Sequence, residues 1–174
     1  MKPGLKYGLI AAAGMIAWMI GEYLMGLHTT RAGIGHYTSW GTEIILIIVL
    51  WRLLHQLVMQ PHRRWLPVWE GLLHGAITGL VTAMGFYIFL SYYLNFLNPE
   101  YADSMLQWQV DHLRVTGTPE EQIRVMARGV RWSLSPVGLL LTVFVQYPLV
   151  AIVASPLLTL WLNWRRKEQP LHAG

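Results

Sequence analysis

Residues 68–97 read VWEGLLHGAITGLVTAMGFYIFLSYYLNFL, and this stretch decides the fold. Its only acidic or basic side chains are Glu70 and His74, both near its start. The stretch is longer than the roughly 20 apolar residues that an α-helix needs to cross the hydrocarbon core of a bilayer. It therefore predicts a membrane-spanning helix in an integral membrane protein.

Three further apolar stretches flank this one, at about residues 7–25, 40–59 and 137–164. A cleaved signal peptide is the rival interpretation of the first, but Ala11 to Ala13 lie in the middle of its apolar run, where a cleavage site does not occur. We therefore expect an all-α polytopic membrane protein, with four transmembrane helices in a single domain of residues 1–174.

The composition agrees with a membrane protein. Hydrophobic residues make up 54% of the chain and charged residues 13%, about half the share of a soluble domain. Cysteine is absent, which excludes disulfides, thiolate metal sites and thiol nucleophiles. The net charge of +4 comes from residues at the ends of the apolar stretches, so it predicts no nucleic-acid partner.

The basic residues next to the spans predict the orientation. Those expected on one side are Lys2, Lys6, Arg63, Arg64 and the cluster 165–167. The opposite side has Arg31 in its short loop and a long segment of mixed charge. Since Lys and Arg near short loops are retained in the cytoplasm, both termini are predicted to be cytoplasmic, in a bacterial inner membrane.

Residues 98–135 predict an extracytoplasmic hairpin of two amphipathic helices. Gly117 is a stop signal for the first helix, and Thr118-Pro119-Glu120-Glu121 supplies a cap, a proline at the first helical position and acids in the first turn. Such a hairpin either rests on the bundle as a cap, closes it as a lid, or docks a partner.

Glycines predict how the spans pack. Gly71, Gly75 and Gly79 recur every four residues and form one flat helical face, and Gly4, Gly8 and Ala12 repeat the pattern more weakly. We expect these faces to meet within one chain or between the chains of a homodimer.

Two prolines lie inside the fourth span. Pro148 and Pro156 each remove an amide donor, which predicts a helix break or a bend at these positions. A broken helix can frame a transport site, although membrane helices also tolerate proline.

Glu22 and Arg52 are predicted to form a buried ion pair. Glu22 lies about 22 Å above the start of its span and Arg52 about 18 Å below the opposite face, and their side chains lean toward each other. The alternative is that each side chain reaches the water at its own end. Glu43 and His28 are interpreted as surface residues.

His55, Glu70 and His74 form a second predicted cluster, near the cytoplasmic ends of the second and third spans. Two histidines at matched depth on neighbouring helices can clamp a haem iron, and with Glu70 they can bind a divalent metal. The ordinary alternative is a hydrogen-bonded or interface-solvated histidine. We expect no cofactor and no metal, with haem b as the alternative.

The order of segments resembles the domain of unknown function 4199 family of small bacterial membrane proteins. The resemblance rests on the opening LKYGLI at residues 5–10, on YYLNF at 92–96 with the helical insert after it, and on Gln146-Tyr147-Pro148 before a basic tail. It implies the four-helix layout and adds no mechanism.

No phosphate loop, dinucleotide fingerprint, zinc motif or nucleophile turn occurs in the sequence, so no catalytic residue is predicted. The preferred hypothesis is a non-enzymatic accessory or scaffold subunit. It would bind membrane lipids and another membrane protein, or a second copy of itself, through the glycine face and the hairpin. The alternatives are a small transporter or lipid-handling protein that uses Glu22, Arg52, Glu70 and His74, and a b-type cytochrome.

Overall fold

The structure is a computed structural model, and it describes residues 2–28, 31–61 and 65–168. The helices are α1 (Pro3–Leu24), α2 (Ala32–Thr38), α3 (Gly41–Val58), α4 (Val68–Tyr92), α5 (Tyr101–Val115), α6 (Glu120–Ser133) and α7 (Pro136–Glu168). No strand occurs in these ranges. Arg63 and Arg64, two of the residues that predict the orientation, lie outside the described residues.

Four helices are long and apolar enough to cross a membrane. They are α1, α3, α7 and α4, the last extended to Leu97 by a π-helical turn, Tyr93–Leu97. The prediction of an all-α fold with four candidate spans is confirmed. These four apolar helices indicate a multi-pass membrane protein.

The four long helices form a square in which consecutive spans are not all neighbours. α4 packs against α1 and α7, and α3 also packs against α1 and α7. α3 and α4 make few direct contacts and therefore occupy opposite corners. The interior is filled by Met15, Leu46, Leu50 and their neighbours, while many leucines and isoleucines on the outside remain exposed to the surroundings.

The glycine face of α4 packs inside the chain, but against α7. A Cβ atom on Gly71 would collide with the hydroxyl of Thr159, and one on Gly75 with the hydroxyl of Ser155. At Gly79 a Cβ would lie 2.8 Å from the Cβ of Ala151. The helices approach this closely only because these positions carry no side chain.

The glycines of α1 have a different partner from the one expected. Gly4 and Gly8 pack against Thr78 and Thr82 of α4, whose hydroxyls lie 3.2 Å from the carbonyls of Gly4 and Gly8 and 2.8 Å from the carbonyl four residues earlier in α4. The two glycine faces therefore do not meet. Thr78 and Thr82 follow Gly75 and Gly79 by three residues, which places them about 60° around the helix, on the side that faces α1.

α7 continues through both of its prolines. It is a single helix from Pro136 to Glu168, so the predicted break at Pro148 and Pro156 does not occur. Pro148 lies where α7 contacts Gly79, and its Cα would be 2.9 Å from a Cβ there. An apolar environment offers the backbone no water, and this favours continuing the helix on either side of a proline.

Residues 101–133 form the predicted pair of helices, which we call the hairpin (α5 and α6). Gly117 has the positive φ of 74° that ends α5. Pro119 immediately precedes α6 and is not its first residue, so the start is one residue later than predicted. Arg114 Nε donates to Glu120 over 2.9 Å and joins the two helices. That the hairpin is extracytoplasmic stays a prediction.

Candidate functional site: an acidic cavity beneath the hairpin

Glu22 is buried at the end of α1 and lies against His28, which the chain brings back to it. The amide of Leu27 donates to the carbonyl of Glu22 and that of Gly26 to Tyr23, both over 3.0 Å, with φ at Gly26 of 73°. This is a Schellman turn, which reverses the chain after a helix. It leaves His28 Nε2 3.3 Å from Glu22 Oε2, with side chains that are 4% and 6% exposed.

His28 continues the contact into a buried polar chain. Its Nδ1 is 2.6 Å from the hydroxyl of Tyr93, and Asn98 Nδ2 donates to that hydroxyl over 2.9 Å. We assign the tautomer from this pattern: Tyr93 accepts from Asn98 and donates to Nδ1, so Nε2 carries the proton and donates to Glu22. The chain joins α1 to the end of α4.

The electrostatics favour a neutral His28. Burial lowers the pKa of His28 below its usual value, and Glu22 opposes that shift in part. The ring edge of Tyr101 packs against His28 with centroids 4.9 Å apart, and burial raises the pKa of Tyr101 to about 12. Near pH 7 neither His28 nor Tyr101 therefore adds a formal charge to this cluster.

A second acid, Glu43, lies in the first turn of α3. Gln146 of α7 donates a hydrogen bond to one of its oxygens, and the Thr42 hydroxyl lies 3.0 Å from the other and equally close to the Ser39 carbonyl. Tyr147 of α7 reaches the Thr42 hydroxyl at 3.4 Å. Glu43 is half-buried, and both of its oxygens are occupied within the protein.

The two acids line one cavity of about 460 Å³, which we call the hairpin cavity. It draws residues from all four long helices, and Tyr101 of the hairpin and Leu134, just after the hairpin, also line it. Its polar lining residues are Glu22, His28, Ser39, Thr42, Glu43, Thr142 and Gln146. No Lys or Arg of the described chain lines it, and its volume is that of a small-molecule site.

One oxygen of Glu22 lacks a partner. Oε1 is buried and accepts no hydrogen bond from any described residue, although Oε2 contacts His28. Buried polar atoms are nearly always hydrogen-bonded, and an unsatisfied one costs about 1–3 kcal/mol, more if it is charged. Glu22 is also one of the residues that line the hairpin cavity.

The structure does not bring Arg52 to Glu22. Tyr7 hydrogen bonds to Gln56 over 2.6 Å, and this contact fixes how α1 and α3 align. In this alignment the exposed Arg52 lies beside the first turns of α1, about 20 Å from Glu22 along the helix axis. No ion pair joins them in the part of the chain described, and His28 takes the place predicted for Arg52.

His55, Glu70 and His74 are not assembled into the predicted cluster. His55 lies on α3, at the corner opposite α4, and its ring packs on Trp51 with centroids 5.4 Å apart. Among the described residues no three His, Cys, Asp or Glu side chains are grouped so that they could hold a metal ion. The prediction assumed that consecutive spans are neighbours, and α3 and α4 are not.

Not predicted from the sequence were His28 and Glu43, which line the cavity, and Tyr93 and Asn98, which hydrogen bond in the chain that starts at His28. His28 and Glu43 were interpreted as surface residues, because each lies close to a polar loop. The helix-ending Met25-Gly26-Leu27 was the available signal, since a Schellman turn after Glu22 returns the chain toward it. Tyr93 is one of six aromatic residues between Phe86 and Phe96, and nothing in the sequence distinguishes those that face inward.

The family comparison covers this site. A family model described as protein of unknown function (DUF4199) matches residues 6–162. The chain belongs to this family. The part matched to DUF4199 runs from α1 into α7 and includes Glu22, His28, Glu43 and Gln146. No curated protein and no solved structure matches the chain.

Proposed function

We propose that this protein binds a small molecule in the hairpin cavity, as a small transporter or lipid-handling protein of the membrane. The observation that carries the proposal is that Glu22, which lines a cavity of ligand size, has a buried oxygen without a hydrogen-bond partner among the described residues. Ionisable side chains within membrane spans are costly and tend to mark functional sites. Glu22 and Glu43 replace Arg52, Glu70 and His74 as the residues of this function.

The architecture supports a binding role over a purely structural one. Each long helix contributes to the lining of the hairpin cavity, so a bound molecule would contact the whole bundle. Tyr101 of the hairpin and the adjacent Leu134 line the site, and the hairpin is attached to the long helices by short connections. Its lid role, left open by the sequence, fits a ligand that enters from the hairpin side.

A cavity-filling substitution tests the proposal. Leu139 lines the hairpin cavity and is 8% exposed, whereas the adjacent Leu140 faces outward and is 41% exposed. Native mass spectrometry after gentle extraction should detect a bound small molecule on the wild type and on Leu140→Trp, and none on Leu139→Trp. A protein that carries no molecule in any form, or the same molecule in all three, contradicts the proposal.

A scaffold role is the second candidate, and the surface of α6 favours it. Val125, Met126 and Trp132 are exposed there, beside a groove formed by Arg124, Arg128 and Arg131. The glycine face is buried against α7, so of the two docking surfaces expected from the sequence the hairpin is the one that stays exposed. Copurification of a membrane protein that is lost on Val125→Glu but retained on Val115→Glu would support this role. Migration of the chain alone in every mild detergent would contradict it.

A further inference from the structure

The acidic and basic side chains that the described residues place in the lining of the hairpin cavity are Glu22, Glu43 and His28. Glu22 and Glu43 both line it, while the described residues place no Lys or Arg in its wall. His28 is neutral near pH 7 because burial disfavours its charged form. The described lining therefore combines two acidic side chains with apolar surroundings and offers them no basic side chain that is charged near pH 7.

The two acids are not equivalent. Glu43 accepts a hydrogen bond from Gln146 on one oxygen and has the Thr42 hydroxyl 3.0 Å from the other, so groups of the protein already contact both of its oxygens. Glu22 has one oxygen on His28 and the other unpartnered. Glu22 is therefore the group that can accept a hydrogen bond from a ligand, and Glu43 strengthens the negative potential around it.

The remaining wall is apolar and rich in aromatic rings. Trp40, Phe86, Tyr101 and Tyr147 line the hairpin cavity with several aliphatic side chains. Aromatic rings attract organic cations through their negative faces and also accommodate an alkyl or aryl body. A small hydrated metal ion would find few oxygen ligands here, because no group of three suitable side chains is assembled in the described chain.

We propose that the ligand is an organic ammonium ion, whose N–H donates to Glu22 Oε1 and whose apolar body contacts the aromatic wall. This inference rests on the proposed ligand-binding function and names its substrate class. An anionic ligand would add a third negative charge, and a neutral one would leave both carboxylates uncompensated. Protonation of Glu22 in an empty cavity is the competing explanation.

Three probes with one body separate these explanations: 4-phenylbutylamine, 4-phenylbutan-1-ol and 4-phenylbutyrate. Titration calorimetry at pH 7 with protein in an uncharged detergent should show the amine binding about tenfold or more tighter than the alcohol, with no binding of the acid. Leu139→Trp should abolish binding of the amine, which shows that the hairpin cavity is the site.

Glu22→Gln keeps the shape of the side chain and removes its charge. It should weaken binding of the amine about tenfold or more and leave binding of the alcohol unchanged. Glu121→Gln is the matched control, because Glu121 is an exposed acid of α6 outside the cavity lining. Glu43→Gln should also weaken binding of the amine, and it provides the test if Glu22→Gln does not fold.

Equal affinity for the amine and the alcohol, both blocked by Leu139→Trp, would overturn the cation inference and leave the ligand-binding function intact. No amine binding, with a change in stability on acidification that Glu22→Gln removes, would overturn it in favour of simple protonation. If no probe binds and no molecule is retained by the purified wild type, the proposed function fails as well.

Discussion

Glu22 and His28 are both buried, and each supplies the other with a hydrogen-bond partner. A buried carboxylate needs donors, and His28 supplies one because Tyr93 and Asn98 hold its ring in the required tautomer. The Tyr93 hydroxyl is the link that both accepts and donates, so its removal should loosen the whole chain of hydrogen bonds.

We expect Tyr93→Phe to lower the free energy of unfolding by about 1–2 kcal/mol, because Asn98 and His28 lose a buried partner. Tyr92→Phe is the adjacent control, since Tyr92 is 52% exposed and its ring stacks on Phe96. Unfolding in mixed micelles measures both. Equal loss in the two variants would show that the Tyr93 hydroxyl has no special role.

The protonation of His28 should make stability depend on pH. Its pKa is lowered in the folded protein by burial, so between the lowered value and its usual 6.5 the unfolded chain binds the extra proton. Stability should therefore be complete above about pH 6.5 and fall as the pH decreases toward the folded pKa. His28→Gln should flatten this part of the unfolding profile. An unchanged slope would show that His28 does not contribute it.

The sequence predicted one residue of the site, Glu22, but not the side chain that contacts it. Glu22 was recognised because a carboxylate within a span is costly wherever it lies. Its partner could not be identified from the sequence. The estimated depth of a residue and the tilt of its side chain do not determine the axial alignment of two helices, so Arg52 was only one possible partner. The Tyr7 to Gln56 contact, which fixes the alignment, joins two residues without a distinctive pattern.

α4 packs closely through two faces, one formed by its glycines and one by Thr78 and Thr82. The sequence predicted the helix from its apolar length but did not predict which helices lie against these faces. Glycine spacing shows that a backbone can approach, without stating which one. In the structure the glycine face receives α7 and the threonine face receives α1. The prolines of α7 likewise indicate that amide donors are missing, but they do not determine whether the helix continues. Pro148 lies where α7 packs closely against Gly79.

Substitution of Gly75 by alanine tests the close contact of α4 with α7. The added Cβ would overlap the Ser155 hydroxyl and lie 3.1 Å from the carbonyl of Ala151, so we expect a loss of about 1–3 kcal/mol in unfolding free energy. Gly21→Ala is the control, because no atom lies within 4 Å of its Cβ position. Its thermal stability should be unchanged or slightly higher. Similar behaviour of the two variants would contradict the packing described.

The whole molecule determines the cavity, because no single helix or pair of helices forms it. Apolar length predicts four candidate spans from sequence, and turn signals predict the hairpin. The square order of the helices depends on which faces pack, so the placement of α3 opposite α4 was not predicted. Glu43 and Gln146 meet only in that arrangement.

The orientation of the bundle is testable with single cysteines, since the chain contains none. We expect Val115→Cys, on the hairpin, to react with a membrane-impermeant maleimide in intact spheroplasts. Gln60→Cys, on the short connection after α3, should react only after lysis. The reverse pattern would place the hairpin in the cytoplasm and contradict the positive-inside prediction.

The most direct test of an acidic, ligand-accessible hairpin cavity is the charge selectivity of a cysteine within it. Thr142→Cys lines the cavity, and Val115→Cys on the exposed hairpin reports the intrinsic reactivity of the reagents. The rates to compare are those of a trimethylammonium-ethyl and a sulfonatoethyl methanethiosulfonate with the purified protein. Relative to Val115→Cys, we predict a preference for the cationic reagent of about tenfold or more at Thr142→Cys, because the two carboxylates concentrate cations there. Equal preference at the two positions, or no reaction at Thr142→Cys, would contradict the account.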